Sequence, residues 1–550
     1  MNAIKLSFSL CLLLLATDLR AELFEATRMS ASRTYNALIT SAPGKTLFVE
    51  KTQAEIEVVG EASNEIIAET TVEISDIDPK VKDEFFEKLR FVLEPYRDGF
   101  RLRLDLPEET LRYKSFTGLQ SLLREWFGAE FRRDISSSIS LHLRVPSQQN
   151  LHIENAYGDV KVRAVQGELR LENNSGEMLI ENCGGLLNLN NNYAAVTVRD
   201  FAGAVNLSNG SGAVLVSNIT GDAKIESSYK SVNFENIGGA LTIEAESSEV
   251  LGKHVRGDCA ISTSYKFAEV ADIGGRLTLN APSSTVTVSN VRKNVLIESN
   301  YKPIRVDSVG GALTIRGESS PVEARVIAQE ADIITSYHSV RVEQVGGSLR
   351  LDGNSCEVTV NDVKKDAAIL ASYKDIRVSK VGGNLDIDGN SSNVFVREVG
   401  GNLDILTSYK AIEVEQVGGS LKVNGESSSV TARNVRGDID VTNSHKYVIV
   451  QGSSGSLYVR GDNSPIEVSR IAKLPAGSRI DLLTSYKAVV LTLPASAEVR
   501  GSLYSQYGAI RSDFPVILEE QDKQNARLEV GSGDIALRVE TSGDIVLRKE

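Results

Sequence analysis

Between residues 150 and 470 the apolar positions come in short alternating runs, broken at fixed intervals. In residues 232–246 they fall at Val232, Phe234, Ile237, Leu241 and Ile243, with polar residues between. Alternation with period two is the signature of a strand that buries one face. The runs are too short for helices and return without a break, so each repeat holds two short strands and two corners.

The corners set the period. Tyr157, Tyr193, Tyr229, Tyr265, Tyr301, Tyr337, Tyr373, Tyr409 and His445 stand 36 residues apart, with Ser175, Ser211, Ser247, Ser283, Ser319, Ser355, Ser391 and Ser427 midway between them. The repeat is therefore an 18-residue unit, with Tyr and Ser alternating at its first position. Gly pairs at 238–239, 274–275, 310–311, 346–347, 382–383 and 418–419 follow the Tyr residues by nine and ten positions, and Gly400-Gly401 follows Ser391 in the same way. One such unit buries too few aliphatics to offset the entropy of ordering it, so neighbours must supply the ladder hydrogen bonds and cover its apolar edges. The pattern predicts an all-β parallel β-solenoid (β-helix) of 18-residue coils.

Outside the array the pattern changes. Residues 45–60 and 99–107 read as strands. Residues 78–96 carry an Asp78 cap, Pro79 in the first turn and apolar Val81, Phe85, Leu89 and Val92, which predicts a helix. Residues 115–134 predict a second helix, with Leu119, Leu122, Leu123, Trp126 and Phe127 on one face. The expected organisation is a signal peptide over 1–21 (Lys5, an apolar run to Ala16, cleavage after Ala21), N-terminal strands and a two-helix α+β cap over 22–139, the repeat array over 140–515 and C-terminal closing strands over 516–550. After Asn463 the repeat slips by five residues, which predicts a loop before Tyr486 restores the motif.

Composition agrees with short strands and tight turns: 44 Gly accompany 12 Pro and 1 Trp in 550 residues, and the formal charge is -13. Beyond the leader no run approaches the ~20 apolar residues of a membrane span. Cys183, Cys259 and Cys356 remain after the leader, an odd number at unrelated repeat positions, so no disulfide framework is expected. Cys183 and Cys259 occupy aliphatic positions; Cys356 falls in a turn and is expected to be exposed.

Catalytic chemistry finds little support. The Pro43–Thr46 stretch lacks the upstream Gly of a phosphate loop, the five His lack metal-ligand spacing, and there is no G-x-S-x-G elbow. Neither catalytic residues, nor a cofactor, nor a metal site is predicted. Asp386, Asp388 and Asp404 suit either calcium or a solvated acidic face, with the face preferred. Arg-Gly-Asp at Arg256, Arg436 and Arg460 places Gly where other coils turn, so turn geometry accounts for it.

The candidate binding ladder is the Tyr-Lys corner: Tyr229, Lys230, Tyr265, Lys266, Tyr301, Lys302, Tyr373, Lys374, Tyr409 and Lys410, with Arg305, Arg341 and Arg377 as an outward column three positions on. Such a stripe suits an anionic glycan, a lipid headgroup or nucleic acid, and hydroxylated aromatics suit sugar stacking. The competing account is architectural. A small residue stands two before each Tyr (Ser227, Thr263, Ser299, Thr335, Ala371, Thr407), so a corner could simply pack one large ring every second coil.

The entry into the array at residues 139–162, the repeated Val-Gly-Gly-x-Leu-x-Ile, residues 489–501 and the closing Thr-Ser-Gly-Asp-Ile-Val-Leu-Arg at 541–548 resemble the bacterial "putative adhesin" family of exported β-solenoid domains. The likeness covers roughly residues 140 to 550 and implies an envelope or surface location; it brings no site residues, and the two helices fall outside it. Taken together, the expectation is a non-enzymatic, exported adhesin-like or scaffold protein (periplasmic, cell-surface or secreted) whose partner is a glycan or cell-envelope component rather than nucleic acid. The alternative is a carbohydrate-active β-helix enzyme of polysaccharide lyase or hydrolase type. A third expectation is a protein partner docked on the helical cap, at the Trp126 face.

Overall fold

The structure is a computed structural model that describes residues 29–77, 79–105, 137–472, 474–518, 525–530 and 533–550. The expected leader and the expected second helix with Trp126 lie outside the described residues. The chain divides into two compact units, Met1–Ser248 and Glu249–Glu550. Each is a parallel β-solenoid of 18-residue coils.

In the first unit one coil runs from strand Ala223–Ser228 through a corner to Val232–Ile237, then through the Gly238-Gly239 corner to Leu241–Glu246. Each strand pairs with its equivalent in the next coil: Ala223 lies beside Leu241 and Ile225 beside Ile243 on one face, Val214 beside Val232 and Val216 beside Phe234 on the other. The second unit repeats this register, for example Leu385 beside Leu403 and Val394 beside Ile412. The alternation of apolar residues therefore becomes a column of like aliphatics, each less than about 3% exposed, between the two faces of every coil.

The three-residue gap between Phe234 and Ile237 has a local cause. Asn236 adopts φ 58°, so one residue is spent turning the chain, and Ile237 points inward again. Asn, Asp, His or Gln stands at many of these positions, as residues that tolerate the left-handed region. Their amides also stack, Asn236 Nδ2 donating to Asn218 Oδ1 at 2.9 Å and Asn218 Nδ2 to Asp200 Oδ1 at 2.7 Å. Val326 is the β-branched residue in this series, held at φ 53° and 46% exposed.

At the glycine corner Gly238, Gly274, Gly310, Gly346 and Gly382 alternate with Arg256, Arg292, Ala328 and Lys364, and where glycines follow one another from coil to coil space is the constraint. A Cβ on Gly400 would lie 2.3 Å from the Gly382 carbonyl oxygen of the preceding coil, closer than any contact can be. Just beyond, Asp and Asn side chains tie coil to coil, Asp366 Oδ1 accepting from Asn384 N at 2.7 Å and Asn384 Oδ1 from Asn402 N at 2.9 Å. Two Arg-Gly-Asp aspartates belong to this ladder: Asp258 accepts from Arg276 N at 2.7 Å and Asp438 from Ser456 N at 2.8 Å.

At the N-terminal end of the first unit, strands Thr46–Thr52 and Glu55–Glu61 stack in parallel on Asn150–Tyr157 and Val160–Arg163, forming a coil whose continuation returns only at residue 137. Beyond them, Ser137–Pro146 pairs with Glu55–Glu61 in parallel, and antiparallel Glu65–Ile77 and Met29–Thr40 extend that face. The helix is shorter than its pattern suggested, Pro79–Lys88. Val92 belongs instead to strand Arg90–Tyr96, which forms an antiparallel hairpin with Gly99–Asp105, Phe91 opposite Leu104 and Leu93 opposite Leu102. Phe86 of the helix and Leu89 just after it pack with Val72 and Ile74 of Glu65–Ile77.

In the second unit the five-residue slip is a loop: Leu457 pairs with Ile480, five positions beyond the partner that the regular register would give it. Of the strands within 516–550 expected to close the C-terminal end, the last two are interior. Ile535–Thr541 pairs with Arg479–Thr484 on one side and Val499–Ser505 on the other, and Ile545–Lys549 lies between Val489–Leu493 and Ile510–Ser512. Chain order and stacking order therefore differ here. The edge is closed by Asn525–Val530 and Val516–Leu518, which run antiparallel.

The three cysteines among the described residues are buried and free, Cys356 included. It is the sulfur counterpart of Ser320 and Ser392, two coils away on either side, whose side chains fill the inside of the corner with 0% exposure. Occupying an inside position of the turn, not the tip, is what removes it from solvent.

Candidate functional site

The two faces of each coil meet at a corner whose first residue is Tyr in one coil and Ser in the next, and from Tyr229 onward both have positive φ: Tyr337 66°, Ser355 58°, Tyr373 65°, Ser391 57°, Tyr409 64°. Their turns differ. After Tyr229, Tyr265, Tyr337 and Tyr373 the next N–H reaches back two residues, for example His338 to the Ser336 carbonyl and Lys374 to the Ser372 carbonyl, each at 2.9 Å. This is the γ-turn with a positive-φ centre, a rare and strained conformation. In the Ser coils the bond spans three residues, from Ser392 N to the Gly389 carbonyl at 2.8 Å and from Ser428 N to the Gly425 carbonyl at 2.9 Å.

The interior of the corner is filled without the rings. Thr407 Oγ1 donates to the Ser392 carbonyl at 3.0 Å and accepts from Ser392 N at 3.2 Å, and Thr335 does the same with Ser320 at 2.8 and 3.2 Å. Gly353, Gly389 and Gly425 occupy the corresponding site in the alternate coils. In the first unit this inner column is Asn155, Asn173, Asn191 and Asn209, all buried; Asn173 Nδ2 donates to the Gly158 carbonyl at 3.0 Å and Asn191 Nδ2 to the Ala194 carbonyl at 3.0 Å. Four Asn at 18-residue spacing are the signal in the sequence that marks this column, and a reading centred on the tyrosines passes over it.

The rings themselves stand in solvent. Tyr229, Tyr265, Tyr301, Tyr337, Tyr373 and Tyr409 are 60–72% exposed. The corner-packing account of the Tyr repeat therefore does not hold: positive φ swings Cβ away from the coil interior, and the small residues two positions earlier do the filling. Lys230, Lys266, Lys302, Lys374 and Lys410 are exposed beside them.

The outward Arg column differs from an uncompensated positive stripe. Arg305 Nε lies 3.6 Å from Glu323, Arg341 Nε donates to Glu343 at 2.6 Å, and Arg377 binds Asp375 at 2.6 Å and Glu357 at 3.1 Å, its guanidinium 5.3 Å from the Phe395 ring centroid. Lys266 is also within 3.7 Å of Glu249. Hydrogen bonds from Asn393 and Arg377 hold the Asp375 carboxyl below its ordinary range.

The acidic candidates do not converge. Asp386 and Asp404 are side by side, as their spacing implied, but Asp388 lies opposite Leu406, and Lys422 pairs with Asp404 at 3.4 Å. Among the described residues no group of three or more His, Cys, Asp or Glu is placed to hold a metal ion.

What these features define is a class by architecture, a two-faced parallel β-solenoid with one edge of exposed tyrosines. No protein-family model matches the chain, and no curated protein matches it at a significant level.

Proposed function

We propose that the protein is a non-enzymatic, exported, adhesin-like solenoid that binds glycan or another cell-envelope component through its tyrosine edge. The observation that supports this reading most is the conformational cost of that edge. A left-handed backbone costs an L-residue about 1–2 kcal/mol and glycine nothing. Tyr nonetheless occupies the γ-turn centre with its ring in water, where it adds little to packing. A side chain kept at a strained, exposed position is best explained by what it touches from outside. Rings with hydroxyls two coils apart, about 10 Å at strand spacing, offer a row of weak stacking contacts whose effects multiply for a polymeric ligand.

Binding to an array of bacterial and host glycans tests this, with Tyr337, Tyr373 and Tyr409 replaced by Ala in a variant shown by circular dichroism to keep its fold. Wild-type binding that the variant loses supports the reading. Binding that survives the triple substitution removes the tyrosine edge from the function.

A further inference from the structure

Beside Tyr337 and Tyr373, within the second unit, the surface of one face sinks into an open trough of about 840 Å³. Three rows line it. The row farthest from the corner is Asp352, Leu370, Asp388, Leu406 and Asn424, each opposite the next on adjacent parallel strands. Asn354, Ser372, Asn390, Ser408 and Glu426 form the middle row, and the tyrosines form the rim.

The charge of this surface is opposite to that expected of the Tyr-Lys corner. The lining holds the carboxylates of Asp352, Asp388 and Glu426 and no Lys or Arg. Lys374 and Lys410 follow their tyrosines in the chain and so start the turn toward the other face. Within the trough Leu370 and Leu406 are each 46% exposed, flat apolar ground between the carboxylates. An anionic polymer would bring its charges against Asp352 and Asp388; a polymer with hydroxyls, apolar sugar faces and ammonium groups would find a partner for each.

Periodicity sharpens the match. Asp352 and Asp388 are two coils apart, as are Leu370 and Leu406, and Tyr337 and Tyr373, so carboxylate, apolar patch and ring all recur about every 10 Å. That is comparable with one disaccharide of an extended, equatorially linked glycan.

We infer that the trough bordered by Tyr337 and Tyr373 binds an extended amino-sugar polymer with free amino groups, the ammonium groups facing Asp352 and Asp388 and the sugar faces resting on Leu370, Leu406 and the tyrosine rings. This inference rests on the glycan-binding reading above and specifies its ligand.

The test uses the full mature chain and titration calorimetry with three hexasaccharide probes: fully deacetylated β-1,4-glucosamine, its fully N-acetylated form, and a hyaluronan hexasaccharide. The glucosamine oligomer should bind best and the hyaluronan oligomer worst. Asp352→Asn with Asp388→Asn should weaken glucosamine binding roughly tenfold and leave the acetylated oligomer nearly unchanged. Tyr337→Ala with Tyr373→Ala should weaken both. Added salt should weaken only the glucosamine oligomer. Should the hyaluronan oligomer bind as well as glucosamine, or the Asp pair prove silent while the Tyr pair still matters, the amino-sugar assignment is overturned and the tyrosine reading survives. If none of the oligomers binds and the glycan array is also empty, both fail.

Discussion

Each coil turns twice, and its two edges handle the turn with opposite residues. At the glycine edge the backbone conformation is ordinary; Arg256, Arg292, Ala328 and Lys364 stand there in alternate coils, while at Gly382, Gly400 and Gly418 a Cβ would strike the preceding coil at 2.3–2.4 Å. At the tyrosine edge there is room for any side chain but the backbone is left-handed, where Gly would be the least strained choice, and the chain places Tyr there instead. The first edge is determined by packing. The second accepts strain, and packing does not explain it.

The largest effect should come from adding a side chain where none fits. Gly400→Ala forces a methyl group into the Gly382 carbonyl and should destabilise the second unit by about 1–3 kcal/mol, read as a shift of the denaturation midpoint. A neutral result would mean that the edge yields and that contact is not what selects Gly. Relief of strain should be smaller and opposite in sign: Val326→Gly should stabilise by about 1 kcal/mol, since a β-branched residue at φ 53° gives up its clash while losing little burial. The sharpest test of the comparison is Tyr409→Gly. It should leave stability unchanged or raise it by up to about 1 kcal/mol while weakening glycan binding, whereas a loss of stability would show that the ring supports the corner after all.

The smallest effect is a pH dependence. Cys259 begins the strand after one glycine corner, and burial pushes its thiol up to about 12 from an ordinary value of 9.0. The neutral thiol is then favoured by folding. Its contribution is intact below about pH 9 and is lost as pH rises toward about 12. Comparing denaturation midpoints of wild type and Cys259→Ala from pH 7 to pH 11 should show the wild type losing more stability in alkali, and Cys259 should resist alkylation until the chain unfolds.

The fold was legible because a solenoid writes its geometry into spacing. Any property of one coil recurs at the same place in the next, so Val232, Phe234, Ile237, Leu241 and Ile243 could be assigned inward as a column before any contact was known. Even the kink at Asn236 was present as a gap of three between apolar residues. The candidate site was legible in position but not in direction. Tyr and its small neighbour two residues earlier could be read equally as ring packed over small residue or as ring outside and small residue inside, and only the sign of φ separates them. The Arg column departs from its expected role for a related reason: Arg377 gains its partners Asp375 and Glu357 from its own coil and the one before, a pairing that depends on rotamers as much as on register.

Sequence by itself determined the strands of the repeat array, the 18-residue period, the placement of both corners and the five-residue loop, because all of these follow from local pattern and its recurrence. Tertiary structure decided the rest. Strand Arg90–Tyr96 displaced the end of the expected helix because Gly99–Asp105 was available to pair with its backbone as a hairpin. Ile535–Thr541 was drawn between Arg479–Thr484 and Val499–Ser505, since a parallel strand has two edges to satisfy and chain order sets no rule for which segments satisfy them. The tyrosine rings were turned outward by a backbone angle that only the stacked coil imposes.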